Sequence, residues 1–224
     1  KFPLVGWSGN PALLSASLAI LSLLFLIYKY KIWFIISVIA IICLKSFTGM
    51  LCLFVGSIFY LLCQNLLSKK VKLLVILSCI IMILFTIFLK HPNFDRVAIW
   101  EKLITSTLNS RPIIGKGINY FQNLNIIDKS NTPWVEAHND YLQMWLELGL
   151  IGVGLFVAYI VSLFKEFFSK VRSHRTIYIA SSLVAFLVSG ISLFPMHLAQ
   201  FSFYAIVLLA CLNYDFNNIS TISK

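Results

Sequence analysis

Apolar positions along this chain of 224 residues gather into long runs separated by short polar stretches, and seven runs can be drawn, roughly at 12–28, 32–44, 47–67, 71–89, 141–164, 176–193 and 197–213. Runs of about 17–24 apolar residues match the length a helix needs to cross a ~30 Å hydrocarbon core. Within lipid every backbone polar group needs an internal partner, which helices supply here. The pattern therefore predicts an all-α fold, a polytopic transmembrane helical bundle with one long external loop containing short interfacial helices. The 32–44 run is short, which predicts little tilt, local bilayer thinning or a broken pair with the run that follows. About four spans fall in 1–89, the external loop is 90–140, about three spans fall in 141–213, and 214–224 is a polar, frayed cytoplasmic tail.

Composition agrees with this division. The chain is 59% hydrophobic and 12% charged, with a mean hydropathy of +0.89, whereas a soluble domain carries about 25% charged residues. The net charge of +10 would suggest nucleic acid in a soluble protein. Here Lys29 and Lys31, then Lys69, Lys70 and Lys72, then Lys165, Lys170, Arg172 and Arg175 occupy alternate connections. The positive-inside rule makes those connections cytoplasmic and puts the N-terminal segment, the 45–46 junction, the 90–140 loop and the 194–197 turn outside. No nucleic-acid motif is present, and no nucleic-acid partner is expected. Cys43, Cys52, Cys63, Cys79 and Cys211 all lie in apolar runs without metal-ligand spacing, so they read as small apolar residues rather than a disulfide framework. The opening "KFPLVGWSGNPALL" lacks the pattern of a signal peptide, and the expectation is a C-terminal part of a longer protein.

The span interiors hold no ionisable residue, with Lys72 and Glu147 near predicted ends. Ion-coupled transporters place such groups near the midplane, so the pattern weighs against a pump or antiporter. Chemistry is then expected in the 90–140 loop, which is far longer than an ordinary connection. "DRVAIWEKLI" puts Val97, Trp100, Leu103 and Ile104 on one helical stripe, predicting a short interfacial helix anchored by Trp100. In "RPIIGKGINYF", Pro112, Gly115 and Gly117 predict a turn whose backbone can come close to a ligand.

The stretch "WVEAHNDYLQMWLELGLIGVGLF" sets His138, Asn139, Asp140 and Tyr141 directly before an apolar run. Asp140 with Gln143 forms a capping-box pattern, which predicts a helix start near Tyr141. The positive end of that helix would disfavour a protonated imidazole, leaving His138 neutral and able to take a proton. The plainer alternative is a histidine that only braces the loop. Arg96 and Arg111 are suited to phosphate because guanidinium makes paired, charge-assisted bonds. His91 reads as an interfacial spacer and His174 as surface charge, whereas His197 stands at the outer end of the last run, near enough to line a site. No metal-binding, P-loop or nucleophile-elbow motif is present, and neither metal nor cofactor is expected.

These segments carry a resemblance. "DRVAIWEKLITSTLNSRPIIGKGINYF" followed by "AHNDYLQMWLELGLIGVGLF" resembles the signature of the O-antigen ligase and O-antigen polymerase superfamily, which includes bacterial polysaccharide polymerases and is related to protein O-oligosaccharyltransferases. "GWSGNPALLSASLAI" and "SLFPMHLAQFSFYAIVLLACL" resemble its earlier Gly/Pro segment and its closing helix, so the matches run in order across most of the chain. The resemblance implies a multi-pass glycosyltransferase of the bacterial cytoplasmic (inner) membrane, serving cell-envelope polysaccharide or lipopolysaccharide biosynthesis with its active loop on the outer face. Its partners would be membrane lipids, a glycan donor on undecaprenyl pyrophosphate, and a lipid, glycan or protein acceptor. By position His138 would be the general base of an inverting, metal-independent transfer. Arg96 and Arg111, with Lys45 and Lys116, would hold the pyrophosphate, and Asn139, Tyr141, Trp100 and His197 would support them.

One departure stands out. The family's Ser-Arg-Gly stretch is matched here by "LKSFTGMLCL", so Phe47 or Thr48 stands where arginine is expected and Lys45 is the nearest base. A lysine supplies a point charge without the bidentate fork. Two rival classes remain open: a polytopic glycan flippase or exporter with no general base, and a non-catalytic assembly protein.

Overall fold

A computed structural model describes residues 10–25, 30–63, 68, 70, 73, 94–124, 137–170 and 173–222. Among them the fold is all-helical, without strands. In chain order the helices are α1 (Pro11–Phe25), α2 (Lys31–Cys43), α3 (Phe47–Cys63), α4 (Phe94–Leu108), α5 (Asp140–Ser169), α6 (His174–Ser189) and α7 (Ala199–Ile222), with 3-10 turns at Tyr120–Leu124 and Pro195–His197. Six of the seven predicted runs coincide with helices. The run at 71–89 and the candidate His91 lie outside the described residues.

Helices α1, α3 and α6 pack on one another, α2 borders α1, and α7 flanks α6. Small residues make the closeness possible. A side chain at Gly49 would collide with Ser15 on α1, and one at Gly56 would meet Leu23, Ser181 and Ala185. The buried hydroxyls at this interface turn back on their own helices: Ser15 donates to Ala12 O at 2.9 Å, Ser22 to Ala19 O at 2.8 Å and Ser181 to Ile177 O at 2.7 Å. Packing therefore leaves these three hydroxyls satisfied without water. The outer faces are apolar instead, with Trp33, Ile36 and Ile39 exposed on α2 and Leu155, Val161 and Phe168 on α5.

A second, smaller core forms where α4 meets the start of α5. It buries Ile99, Leu103, Phe121, Ala137 and Leu146. The buried stripe of α4 is thus Ile99, Leu103 and Thr107, at i, i+4 spacing, while Val97 of the predicted stripe is exposed. Leu103 of the predicted stripe is buried and Trp100 packs on this core, so the buried face is turned from the predicted one by less than a quarter of a helical turn, toward Phe121 and Leu146.

Two sequence expectations change at helix ends. The N-cap of α5 is Asn139, whose Oδ1 accepts from Leu142 N at 3.0 Å, and Asp140 is the first helical residue. Gln143 accordingly does not close a capping box; its Oε1 accepts from Ala137 N at 3.0 Å. At the other end α7 runs to Ile222 rather than fraying from 214. Asp215 and Phe216 explain this, since both are buried. Asp215 accepts from Thr176 Oγ1 at 3.2 Å and pairs with Arg175 Nε at 3.5 Å.

Helix α5 is two rods. Gly149, at φ 69° and ψ −174°, interrupts it, and the loop segment 112–117 closes the gap. Leu150 N donates to Pro112 O at 2.9 Å and Ile151 N to Ile113 O at 3.1 Å. In return Lys116 N donates to Leu146 O and Gly117 N to Glu147 O, both at 2.9 Å. Four of the groups a helix break would orphan are thereby paired. Side chains are barred on both strands of the splice: a Cβ at Gly115 (φ 80°) would strike Glu147 O, and one at Gly149 would strike Ile113 O. The close approach expected of this glycine loop is therefore made to the chain's own helix. Beyond the break, 150–169 forms a straight rod about 30 Å long at 1.5 Å per residue. Among the described residues α5 is the one helix long and apolar enough to cross a bilayer, with 22% of its most apolar window buried.

Candidate active site

The polar cluster before α5 is held by three fixed points. Trp100 Nε1 donates to Ala137 O at 3.0 Å, Asn139 caps the helix, and Asp140 N donates to Gly190 O at 2.9 Å. Tyr141 OH donates to Leu187 O, tying the first turn to α6. Between these points His138 adopts a left-handed backbone, φ 53°, a conformation uncommon for a residue with a side chain. Its ring lies edge-on to Phe194, with centroids 5.0 Å apart.

Arg96 reaches the same turn from α4, Nη1 donating to Ser192 O at 3.2 Å. Thr48, at the start of α3, meets Ser192 Oγ at 2.9 Å. The α2–α3 junction carrying Lys45, α4 and the His138 segment thus converge on residues 192–194. Lys45 is exposed, at φ 49°. Arg96 Nε is buried and meets no acceptor among the described residues; a guanidinium N–H so placed suits an incoming anion. Burial pulls the Arg96 pKa down. Burial, and then the charge of Arg96, push His138 down to about 4, so at neutral pH the imidazole is uncharged, for these reasons rather than for the helix end the sequence suggested.

Behind this pair is a network that sequence reasoning only touched. Asp140, wholly buried, meets His197 Nδ1 through Oδ1 at 2.6 Å and accepts from Met196 N through Oδ2 at 2.8 Å. His197 Nε2 lies 3.5 Å from Glu147 Oε2, and Glu147 Oε1 accepts from Gln143 Nε2 at 3.1 Å. Burial opposes charge on His197, but Asp140 and Glu147 outweigh it and hold the pKa up at about 10. Burial pushes the Asp140 carboxyl upward against the pull of His197 and Met196 N–H. At neutral pH His197 is thereby held as an imidazolium beside Asp140 and Glu147. From the sequence Asp140 reads only as part of a helix start and Glu147 only as a charge near a span end, although Asp140, Gln143 and Glu147 recur at i, i+3, i+7, one polar stripe on a mostly apolar helix.

Arg111 and Lys116 are placed elsewhere. With Ser110 and Tyr120 they line an open groove of about 210 Å³ that includes neither Arg96 nor His138. Among the described residues no group of His, Cys, Asp and Glu is arranged to hold a metal ion. No family model, curated protein or solved structure matches the chain.

Proposed function

We propose that this chain is a multi-pass membrane glycosyltransferase of the bacterial cytoplasmic membrane, moving a glycan from undecaprenyl pyrophosphate to an acceptor hydroxyl at the outer face. The observation that carries the reading is the meeting of His138 and Arg96 at the 192–194 turn. In the reaction the acceptor oxygen attacks the anomeric carbon and gives its proton to His138. The bond from that carbon to the diphosphate breaks, and its electron pair leaves with undecaprenyl pyrophosphate, whose charge Arg96 and Lys45 meet. Attack opposite the leaving group inverts the anomeric centre and needs no covalent enzyme intermediate.

The low basicity of His138 in the free protein suits this order of events. Arg96 is one cause of it, so a diphosphate on Arg96 would offset the cation and make the imidazole a better base once donor is bound. A membrane setting is supported by the ~30 Å rod at 150–169, by the apolar outer faces of α2 and α5, and by the small-residue contacts of α1 and α3. A groove of about 180 Å³ between α5, α6 and α7, lined by Phe156, Leu187, Met196 and Ile206 among others, suits part of a polyprenyl chain and ends at the residue whose N–H binds Asp140.

The test is transfer by the purified full chain in lipid nanodiscs, supplied with undecaprenyl-pyrophosphate-linked glycan and, in turn, lipid, glycan and protein acceptors. His138→Gln is expected to lower the transfer rate about 10²–10⁴-fold while donor still binds, and Arg96→Gln to weaken donor binding. Unchanged transfer in His138→Gln would remove the base role, whereas glycan translocation with no transfer, unchanged in His138→Gln, would favour a flippase or exporter, which needs no base.

A further inference from the structure

We propose that the Arg111–Lys116 groove is a headgroup site for an anionic phospholipid, fixing the 112–117 splice at the outer bilayer surface. The inference rests on the membrane placement in the reading above, and on three further observations. First, the groove's charge is uncompensated: among the described residues neither Arg111 nor Lys116 meets a carboxylate. Lys116 Nζ is steered by Ser106 Oγ at 3.1 Å and Tyr120 OH at 3.4 Å, and lies 4.6 Å from the Tyr120 ring centroid. Tyr120 adds a hydroxyl, and Ser110, whose own proton goes to Ser106 O at 2.7 Å, lines the same opening. Two cations beside a hydroxyl suit a phosphate ester.

Second, the same loop presents bare apolar side chains. Ile114 and Ile118 are 71% and 83% exposed, and Ile113 is exposed beside them. Leu148, Leu150 and Ile151 of α5, next to the splice, are exposed as well. Isoleucines protruding around a basic groove suit a bilayer surface, where carbon enters the acyl boundary and cations stay with phosphates. A free soluble anion would need the cations and would gain nothing from the isoleucines.

Third, the depth is right. The splice hydrogen bonds fix the loop to residues 146–151, where the ~30 Å rod begins, so the loop lies level with one face of the hydrocarbon. Trp145, whose Nε1 donates to Pro112 O at 3.1 Å, supplies an aromatic at this level, as interface belts do. The groove shares no lining residue with the Arg96–His138 pair, leaving that pair for the reacting lipid while this groove holds a bulk one.

The experiment is native mass spectrometry of the full chain titrated in detergent with phosphatidylglycerol against phosphatidylcholine. Wild type is expected to retain phosphatidylglycerol preferentially. The double variant Arg111→Gln/Lys116→Gln should lose roughly 30-fold in apparent affinity, the attraction of two basic side chains for an anionic headgroup. Lys102→Gln, an exposed charge on α4 outside the groove, should lose none, and Ile114→Ser should weaken retention without any change of charge. Phosphatidylglycerol bound equally by the double variant overturns the proposal. So does its displacement by an equal concentration of inorganic pyrophosphate, which would make the groove a free-phosphate subsite. Alkaline carbonate washing of membranes separates the two readings. Release of the chain removes the membrane placement and this proposal together, whereas retention with an indifferent double variant removes this proposal alone.

Discussion

His138 packs against the 192–197 turn and His197 belongs to it, and both are substantially withdrawn from water. The ring of His138 abuts Phe194, and His197 ends the same turn. Burial lowers the basicity of each, yet one falls to about 4 and the other rises to about 10. The difference lies in the neighbours. His138 has a guanidinium beside it, whereas His197 has a carboxylate at each ring nitrogen. Desolvation sets a common penalty, and the sign of the nearest fixed charge decides which protonation state survives it. Two identical side chains are thereby given separate duties. One is kept neutral, as the proposed proton acceptor would need to be, and the other is kept charged between Asp140 and Glu147.

The most damaging way to break this contrast is to remove Asp140. In Asp140→Ala, His197 loses its 2.6 Å partner and Met196 N loses its acceptor. An imidazolium left half-paired in a buried site costs about 4 kcal/mol, the usual penalty for halving such a pair. Denaturant unfolding of the purified chain should show that loss. Glu147→Gln should cost far less, because its contact to His197 is 3.5 Å and Gln143 can still hydrogen-bond the new amide. Equal losses in the two variants would mean that His197 is not held chiefly by Asp140.

Next in size is the alkaline side of His197. Its folded-state pKa, about 10, lies above the ordinary 6.5. Its contribution is therefore complete below pH 6.5 and is lost as pH rises through 10. The stability gap between wild type and His197→Gln should shrink over that window by on the order of 3 kcal/mol, less than the full shift at ~1.4 kcal/mol per unit because part of the side chain reaches solvent. A gap that stays constant from pH 6 to 10 would show that His197 is held by shape rather than charge.

Much of this architecture was readable in the sequence, for a physical reason. Apolar runs fix where helices form, because a long buried segment has no other way to satisfy its backbone, so α1, α2, α3, α5 and α6 fall close to their predicted ranges. The His138 segment was legible because polar residues abutting an apolar helix stand out. What could not be read were contacts between distant segments. Nothing local couples Asp140 to His197, fifty-seven positions on, or joins Pro112 O to Leu150 N. Gly115 announced a close approach without naming the partner. The same limit explains α4: its stripe was set by Phe121 and Leu146, residues no periodicity could choose in advance. Arg96 and Arg111 looked equivalent by composition, and only the fold sends one to Ser192 and the other to the 112–117 loop.

The smallest of the three effects sits on the acid side of His138 and runs in the opposite direction to that of His197. Its folded-state pKa, about 4, is below the ordinary 6.5, so the unfolded chain binds a proton that the folded one refuses. Stability tied to this group is intact above pH 6.5 and declines as pH falls toward 4. Partial exposure limits the loss to on the order of 2 kcal/mol. His138→Gln, which cannot take the proton, should flatten that limb relative to wild type and leave the alkaline limb of His197 unchanged. Arg96→Gln offers the finer cut, because it removes the cation and keeps most of the burial. In that variant the acid loss should still begin near 6.5, the unfolded value, but level off at higher pH and end smaller, as His138 regains part of its basicity and the gap to 6.5 narrows. If Arg96→Gln left the size of the loss where it was, burial alone would account for the neutral imidazole. An anion bound at Arg96 could then no longer be expected to awaken His138 as a base.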